Sequence, residues 1–419
     1  MQKSTFSLLA ALSCTLPLFA ASTCPNPPVP DIASSAAPSD VCIPSGFTDL
    51  TIDFFDDYSW RAFAALTLPV RKTGPLVFEA YHPLWEIFHS DGSAPSRDPS
   101  ANACMAKTEP GDIVLASPSG VLDIGQAADG SLVGPLAAQN GRYVRYLTSY
   151  NDIAYRHIIA NKWYLRSHLP VVPVPRPPVP PVQFPDGSIV VKSAWVEMEG
   201  FTPQQRSRYY TRTAIVRDPG TGKCGKQTVG LVGLHIVQKT PSRPQWIWSS
   251  FEQVDNVPPG EPGGGGKFTF HDGSDTPMPA NNPLSLVPLA SQPVKPFNVV
   301  RSPKTPIHPR TVETNKKYRQ LLSGGVWSNY ELVVTQWPLA PGDQSIPVAA
   351  SQAGDIFQTF PGEGATSAFA NMSMETFNQS RPAQGCMNCH NRARLTADFM
   401  WSVFMHAWPE QVVLPAASK

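Results

Sequence analysis

The sequence predicts a mainly β, α+β fold: a large antiparallel sheet with irregular, proline-rich connections and a C-terminal helix that carries a Cys-x-x-Cys-His motif. Three observations point there. The 419 residues include 46 prolines, about twice the ordinary share, and each proline removes a helix donor and clashes with the preceding turn. Segments between residues 188 and 337 alternate apolar with polar residues or run apolar without interruption, and turn residues bound them. Cys386 and Cys389 stand three positions apart near the end of the chain, directly before His390.

Taken in order, residues 1–22 read as a secretory signal, with Lys3 as the charged start, an apolar run from Ser7 to Ala20 and a small-x-small site at Ala20-Ala21-Ser22. The competing reading is an uncleaved anchor, but the run is short for a bilayer span and no later segment has 18 consecutive apolar residues. Residues 23–46 form an extended Pro/Ser/Ala-rich lead-in, and 47–419 form a single β-rich domain. Asp57–Leu66 has helical spacing, with Trp60, Phe63 and Leu66 on one face. A turn at Asn140-Gly141 precedes a strand to Tyr146, and Tyr150–Tyr164 reads as a helix. Leu169–Pro185, with its dense prolines, is expected as an extended arm. Strands are expected at Ser188–Trp195, Tyr209–Val216, Val229–Val237, Gln245–Phe251 and Trp327–Trp337, with loops at 258–266 and 291–309. After the motif, Leu395, Phe399, Val403 and Trp408 keep a roughly helical spacing, so one helix is expected from Asn391 to His406.

Charge excludes some partners. With 33 basic and 32 acidic residues, nothing marks a nucleic-acid or membrane-surface protein. Export changes how the seven cysteines are read. Cys14 leaves with the signal and Cys386 with Cys389 forms the motif, leaving Cys24, Cys42, Cys104 and Cys224. In an oxidising compartment four cysteines imply two disulfides with three connectivities. The pairing expected from proximity is Cys24–Cys42 with Cys104–Cys224; buried thiols are the alternative.

Cys386-Met-Asn-Cys389-His390 has the spacing of a covalent haem c attachment. Two thiols one helical turn apart reach the two vinyl groups along one porphyrin edge, and the imidazole that follows falls beneath the iron as proximal ligand. One motif implies one haem. A redox dithiol would be expected beside a βαβ pattern, and a zinc site would need a second ligand pair; the sequence has neither. For the opposite haem face, Met400, Met405 and His406 lie on the helix that leaves the motif, which assigns them to core or surface. The upstream candidates are His235, Lys192, Met372 and Met374. Against each stands a plainer role: His235 as a satisfied core residue, Lys192 and Lys239 as snorkelling lysines, and Trp195, Trp246, Trp248 and Phe251 as core aromatics.

Cys386-x-x-Cys-His390, then Ala397-Asp398-Phe399, Val403-Phe404 and Ala407-Trp408-Pro409, resembles the C-terminus of the lysine-crosslinked, hydroxylamine-oxidising cytochromes and of their relatives, the cytochromes c-prime-beta. Phe184-Pro-Asp-Gly-Ser-Ile-Val-Val-Lys192 is similar to that family's Pro-Asp/Glu-Gly turn leading into a strand with a lysine, which implies a pocket lysine at Lys192. The resemblance also implies a long antiparallel sheet with the haem helix last. Over most of the mature chain, through Asp57–Leu66, Val229–Asn256, Ser328–Pro338 and Asn371–His390, the sequence resembles larger exported cytochrome c family proteins without an assigned reaction.

The function expected is therefore haem binding and electron transfer by a periplasmic or secreted monohaem cytochrome c, with a redox partner protein. A competing reading is an oxidoreductase or sensor acting on a small nitrogen compound or gas at an open iron. A third is a secreted, disulfide-stabilised binding module.

Overall fold

The computed structural model describes residues 24–44, 52–72, 74–97, 104, 107–116, 124, 135–170, 182–259, 267–274, 281, 291–303, 305–338, 357–358, 370–379, 386, 390 and 393–409. The segment expected as a secretory signal, most of the expected proline arm after Leu169, and Cys389 lie outside them.

Among the described residues nine strands form one sheet. They are β1 (His82–Pro83), β2 (Ile113–Leu115), β3 (Arg145–Tyr150), β4 (Ile189–Glu197), β5 (Thr211–Arg217), β6 (Cys224–Thr240), β7 (Arg243–Gln253), β8 (Tyr330–Pro338) and β9 (Phe357–Gln358). The order is β1-β3-β4-β6-β7-β8-β9, with β5 joined to the first half of β6 and β2 to β5. All pairings are antiparallel except β2 with β5, which is parallel. The expected antiparallel sheet is thus a mixed one, by a single pair. Helices are few: α1 (Ile52–Leu66), α2 (Leu84–Ile87), α3 (Asp152–Asn161), α4 (Pro203–Arg206), α5 (Pro309–Leu321) and two short ones near the C-terminus.

Because side chains alternate along a strand, the sheet presents two faces. One carries Val191, Leu234, Ile236 and Phe251 and packs on Trp60, Phe63 and Leu66 of α1 and Tyr318 of α5. Trp60 stacks on Tyr318 at 5.3 Å, and its indole N–H donates to Asn315 Oδ1 at 2.9 Å, so its polar tip is satisfied inside the core. The helix α5 was not expected from the sequence. Its start is nevertheless marked by Pro309 at its first turn and by His308, whose ring accepts from the Arg310 amide.

The opposite face carries two separate apolar clusters. Val190, Val237 and Trp248 pack with Phe184, Tyr150 and the C-terminal residues Ala397, Phe399, Met400 and Val403. Ala194 and Val232 pack with Tyr146, Phe270, Met372 and Met374. Between them the strands place a polar row in register, Thr148–Lys192–His235–Ser250 across β3, β4, β6 and β7.

The lead-in is extended as expected and it is anchored. Residues 24–44 contain no helix or strand, Cys24 and Cys42 are bridged, and Pro38 and Asp40 accept hydrogen bonds from Gln238 and Ser242. The second disulfide joins Cys104 to Cys224 at the start of β6. Both pairs are those expected from the sequence. No helix among the described residues is long and apolar enough to cross a membrane.

Candidate functional site

Cys386 and His390 are each in helical conformation, and Cys386 is half-buried against the cluster of Trp248, Phe399 and Met400. The chain beyond them departs from the single helix expected. A short helix, Arg394–Ala397, ends on two consecutive left-handed residues, Asp398 (φ 47°) and Phe399 (φ 71°), and a second helix, Trp401–His406, follows. Neither residue is glycine, and this region costs a side-chain-bearing residue roughly 1–2 kcal/mol. Of the four apolar residues at helical spacing, Leu395 and Val403 fall one in each helix, whereas Phe399 lies in the turn between them and Trp408 beyond the second, exposed.

The turn has a consequence for the motif. It directs the Phe399 carbonyl at His390, whose Nδ1–H donates to it at 2.6 Å. Nε2 is then the nitrogen that can take a metal, with its tautomer fixed by the backbone, as is usual for metal-binding histidines. Burial pushes the His390 pKa down to about 4 despite the Phe399 bond; the charges of Lys192 and His235 push the same way and Glu375 opposes them. The ring is therefore neutral at ordinary pH, the form that ligates a metal. Trp248 lies beside it with ring centroids 4.4 Å apart.

The turn is held from the sheet. Lys239 near the end of β6 is 4% exposed, not snorkelling, and its Nζ donates to Asp398 Oδ2 at 2.6 Å. The same oxygen accepts the Phe184 amide at 2.8 Å, and Lys239 Nζ lies 5.7 Å above the Trp246 ring. Burial raises the Asp398 pKa, while Lys239, the Phe184 amide and the Trp246 indole beside it act the other way. The second helix is fastened by Arg166, which donates to the Phe404 and Pro409 carbonyls, and by the Tyr150 hydroxyl against Ser402.

Of the upstream candidates, Lys192 and His235 face each other across β4 and β6. They are the only positions not fully buried in Ile189–Glu197 and Val229–Thr240, and all of β7 is buried. Lys192 Nζ lies 4.8 Å above the Tyr146 ring. His235 Nε2 comes within 3.4 Å of Glu375 Oε1 without completing a hydrogen bond. Burial would raise the pKa of Glu375, but His235, Lys192 and the Asn371 amide outweigh it and hold the carboxyl below its usual range. Lys192, His235 and Glu375 thus form a partly exposed polar group whose charges act on His390.

Met372 and Met374 are fully buried in the adjoining cluster. Their segment is fastened down over the sheet. Asn371 donates to the Phe251 carbonyl at 2.8 Å, the Met372 amide to Glu252 at 2.8 Å, and the Tyr146 hydroxyl to the Ser373 carbonyl at 2.7 Å. Gly233 permits the approach, because a Cβ there would lie 2.1 Å from Ser373 Oγ and 3.2 Å from Met374 Cε. Of the four aromatics, Trp248 adjoins His390 and Trp246 adjoins Lys239, whereas Trp195 and Phe251 belong to the opposite face. Met400 is core, and Met405 and His406 are half-buried on the last helix.

Sequence reasoning missed Glu375, Asp398 and Phe399 as parts of the site. For Asp398 and Phe399 the Ala-Asp-Phe triplet was a signal; for Glu375, a lone acid after Met374, there was none. No group of three or more His, Cys, Asp or Glu that could hold a metal ion occurs among the described residues, so the motif's own chemistry carries the case. Fold and site define a class only: a disulfide-stapled, mainly β protein with a neutral imidazole near a partly exposed polar group. The chain matches no protein-family model, no curated protein and no solved structure.

Proposed function

We propose that the chain is an exported monohaem cytochrome c, with haem in thioether linkage to Cys386 and Cys389, His390 on the iron, and electron transfer to a redox partner protein as its work. The observation that carries this reading is the His390 ring, neutral, backbone-oriented and placed four residues after a cysteine that lies against the aromatic cluster. When bound, the haem supplies a one-electron iron couple. The chain's own residues hold the axial imidazole in one tautomer, exclude water through Trp248, Phe399 and Met400, and set the charge nearby through Lys192, His235 and Glu375. The two disulfides agree with an oxidising compartment, which we take to be the periplasm or the exterior. Kinship with the lysine-crosslinked cytochromes belongs to the same proposal.

A second reading is favoured by one observation. Lys192 and His235 interrupt otherwise buried stretches of β4 and β6 beside Glu375, and partly exposed polar side chains of this kind near the axial histidine suit a small nitrogen compound or a gas at an open iron better than they suit a closed carrier. Acid-acetone extraction followed by ferrous spectra with and without carbon monoxide tests both. Haem that stays with the precipitated chain supports the cytochrome reading, and full extraction overturns it. A spectrum shifted by carbon monoxide selects the open site, and an unchanged low-spin spectrum rules it out.

A further inference from the structure

We propose that Lys239 and Asp398 are positioning residues for the axial histidine: the buried ion pair clamps the left-handed turn that keeps the Phe399 carbonyl on His390 Nδ1, and so sets the donor strength of that imidazole. This rests on the reading of His390 as an iron ligand. Four observations converge on it. Two adjacent non-glycine residues, Asp398 and Phe399, adopt positive φ, a conformation that persists only where surroundings over-determine it. The surroundings here are a lysine 4% exposed and an aspartate 2% exposed, 2.6 Å apart, a pair that is costly to bury and destabilising to break. Asp398 Oδ2 also accepts the Phe184 amide at 2.8 Å, which ties the turn to the chain entering β4. The residue after the aspartate then delivers its carbonyl to His390 at 2.6 Å.

The chemistry follows from the hydrogen bond. A short, fixed acceptor on Nδ1–H gives the ring partial imidazolate character and makes Nε2 a stronger donor, which favours ferric over ferrous iron. Lys239 stands on β6, four residues after His235, so one strand carries both a member of the polar group whose charges act on His390 and the anchor of the axial ligand. A clamp of this kind fixes the turn, and with it the hydrogen bond to His390, to the sheet.

The test uses the haem-loaded protein. Lys239→Met with Asp398→Asn removes both charges together, and asparagine keeps the tolerance for positive φ, so the turn can still form. Lys239→Arg keeps the pair. A control, Arg145→Met with Glu197→Gln, removes another buried ion pair, 3.1 Å long with side chains 3% and 2% exposed, away from the motif. The readouts are the haem midpoint potential and the solvent exchange of the iron-shifted His390 Nδ1–H resonance in proton NMR. The clamp requires a raised potential and faster exchange in Lys239→Met/Asp398→Asn, with values near wild type in Lys239→Arg and in the control. Loss of stability with unchanged potential and exchange would show a merely structural pair and overturn the inference, as would a control that shifts both equally. A wild-type chain without covalent haem would instead sink the reading of the motif itself, and the inference with it.

Discussion

Asp56 offers the sharpest test of the packing behind the site. Its carboxyl is fully buried on α1 and accepts hydrogen bonds from Thr311 of α5 at 2.7 Å and from Thr335 of β8 at 2.8 Å. Burial raises its pKa from 3.8 to about 7; the two threonines only partly offset this. The folded state therefore retains a proton that the unfolded chain releases near pH 4. Between those values stability falls by about 1.4 kcal/mol per pH unit from this group. Over the three-unit gap the loss is about 4 kcal/mol, fully developed above pH 7 and absent below pH 4. Asp56→Asn keeps the shape and can donate to a threonine hydroxyl, but it cannot ionise. Chemical denaturation of wild type and variant at intervals from pH 4 to pH 8 reads the difference directly. The variant is expected to gain about 4 kcal/mol relative to wild type across that range. A constant difference, or one that moves towards wild type as pH rises, would refute the argument that burial governs this carboxyl.

Other expectations follow from the same geometry. Opening Cys104–Cys224, which spans 120 residues, should cost about 5 kcal/mol on the chain-entropy argument. Opening Cys24–Cys42, which spans 18, should cost about 3 kcal/mol; guanidinium unfolding of the two Cys→Ser pairs checks the order, and a larger effect at Cys24–Cys42 would contradict it. Gly233→Ala forces a methyl against Ser373 and Met374, so a loss of about 1–3 kcal/mol is expected, together with altered cyanide binding; wild-type thermal stability would show that the 371–374 segment does not press on β6. His235→Leu should leave covalent haem content unchanged while altering cyanide affinity, and an unaltered affinity would remove His235 from the ligand site.

Much of this arrangement was legible in the sequence because it is local. The alternation in Ser188–Trp195 and the apolar run Val229–Val237 gave β4 and β6, and the aromatic alternation in Gln245–Phe251 gave β7. The expected compartment gave two disulfides; proximity paired Cys24 with Cys42, which leaves Cys104 for Cys224, 120 residues away. Lys192 and His235 were separate candidates, and only the register of β4 on β6 makes them neighbours. Periodicity could not reveal the break at Asp398–Phe399, because the residues that need a left-handed turn there are fixed by Lys239, 159 positions earlier. The same holds for Glu375, whose partner His235 is distant in sequence and near only after the 371–374 segment folds over Gly233. The parallel partner of β5 was hidden for a different reason: β2 is a three-residue strand, too short to announce itself by pattern.

The central claim is the covalent haem, and peptide mass spectrometry of the purified, air-oxidised protein tests it most directly. Protease digestion without reduction should release a peptide containing Cys386, Cys389 and His390 that carries the mass of one haem and absorbs in the Soret region. The same peptide found without haem, with its two cysteines as thiols or joined to each other in a disulfide, would contradict the account and leave the binding-module reading in its place.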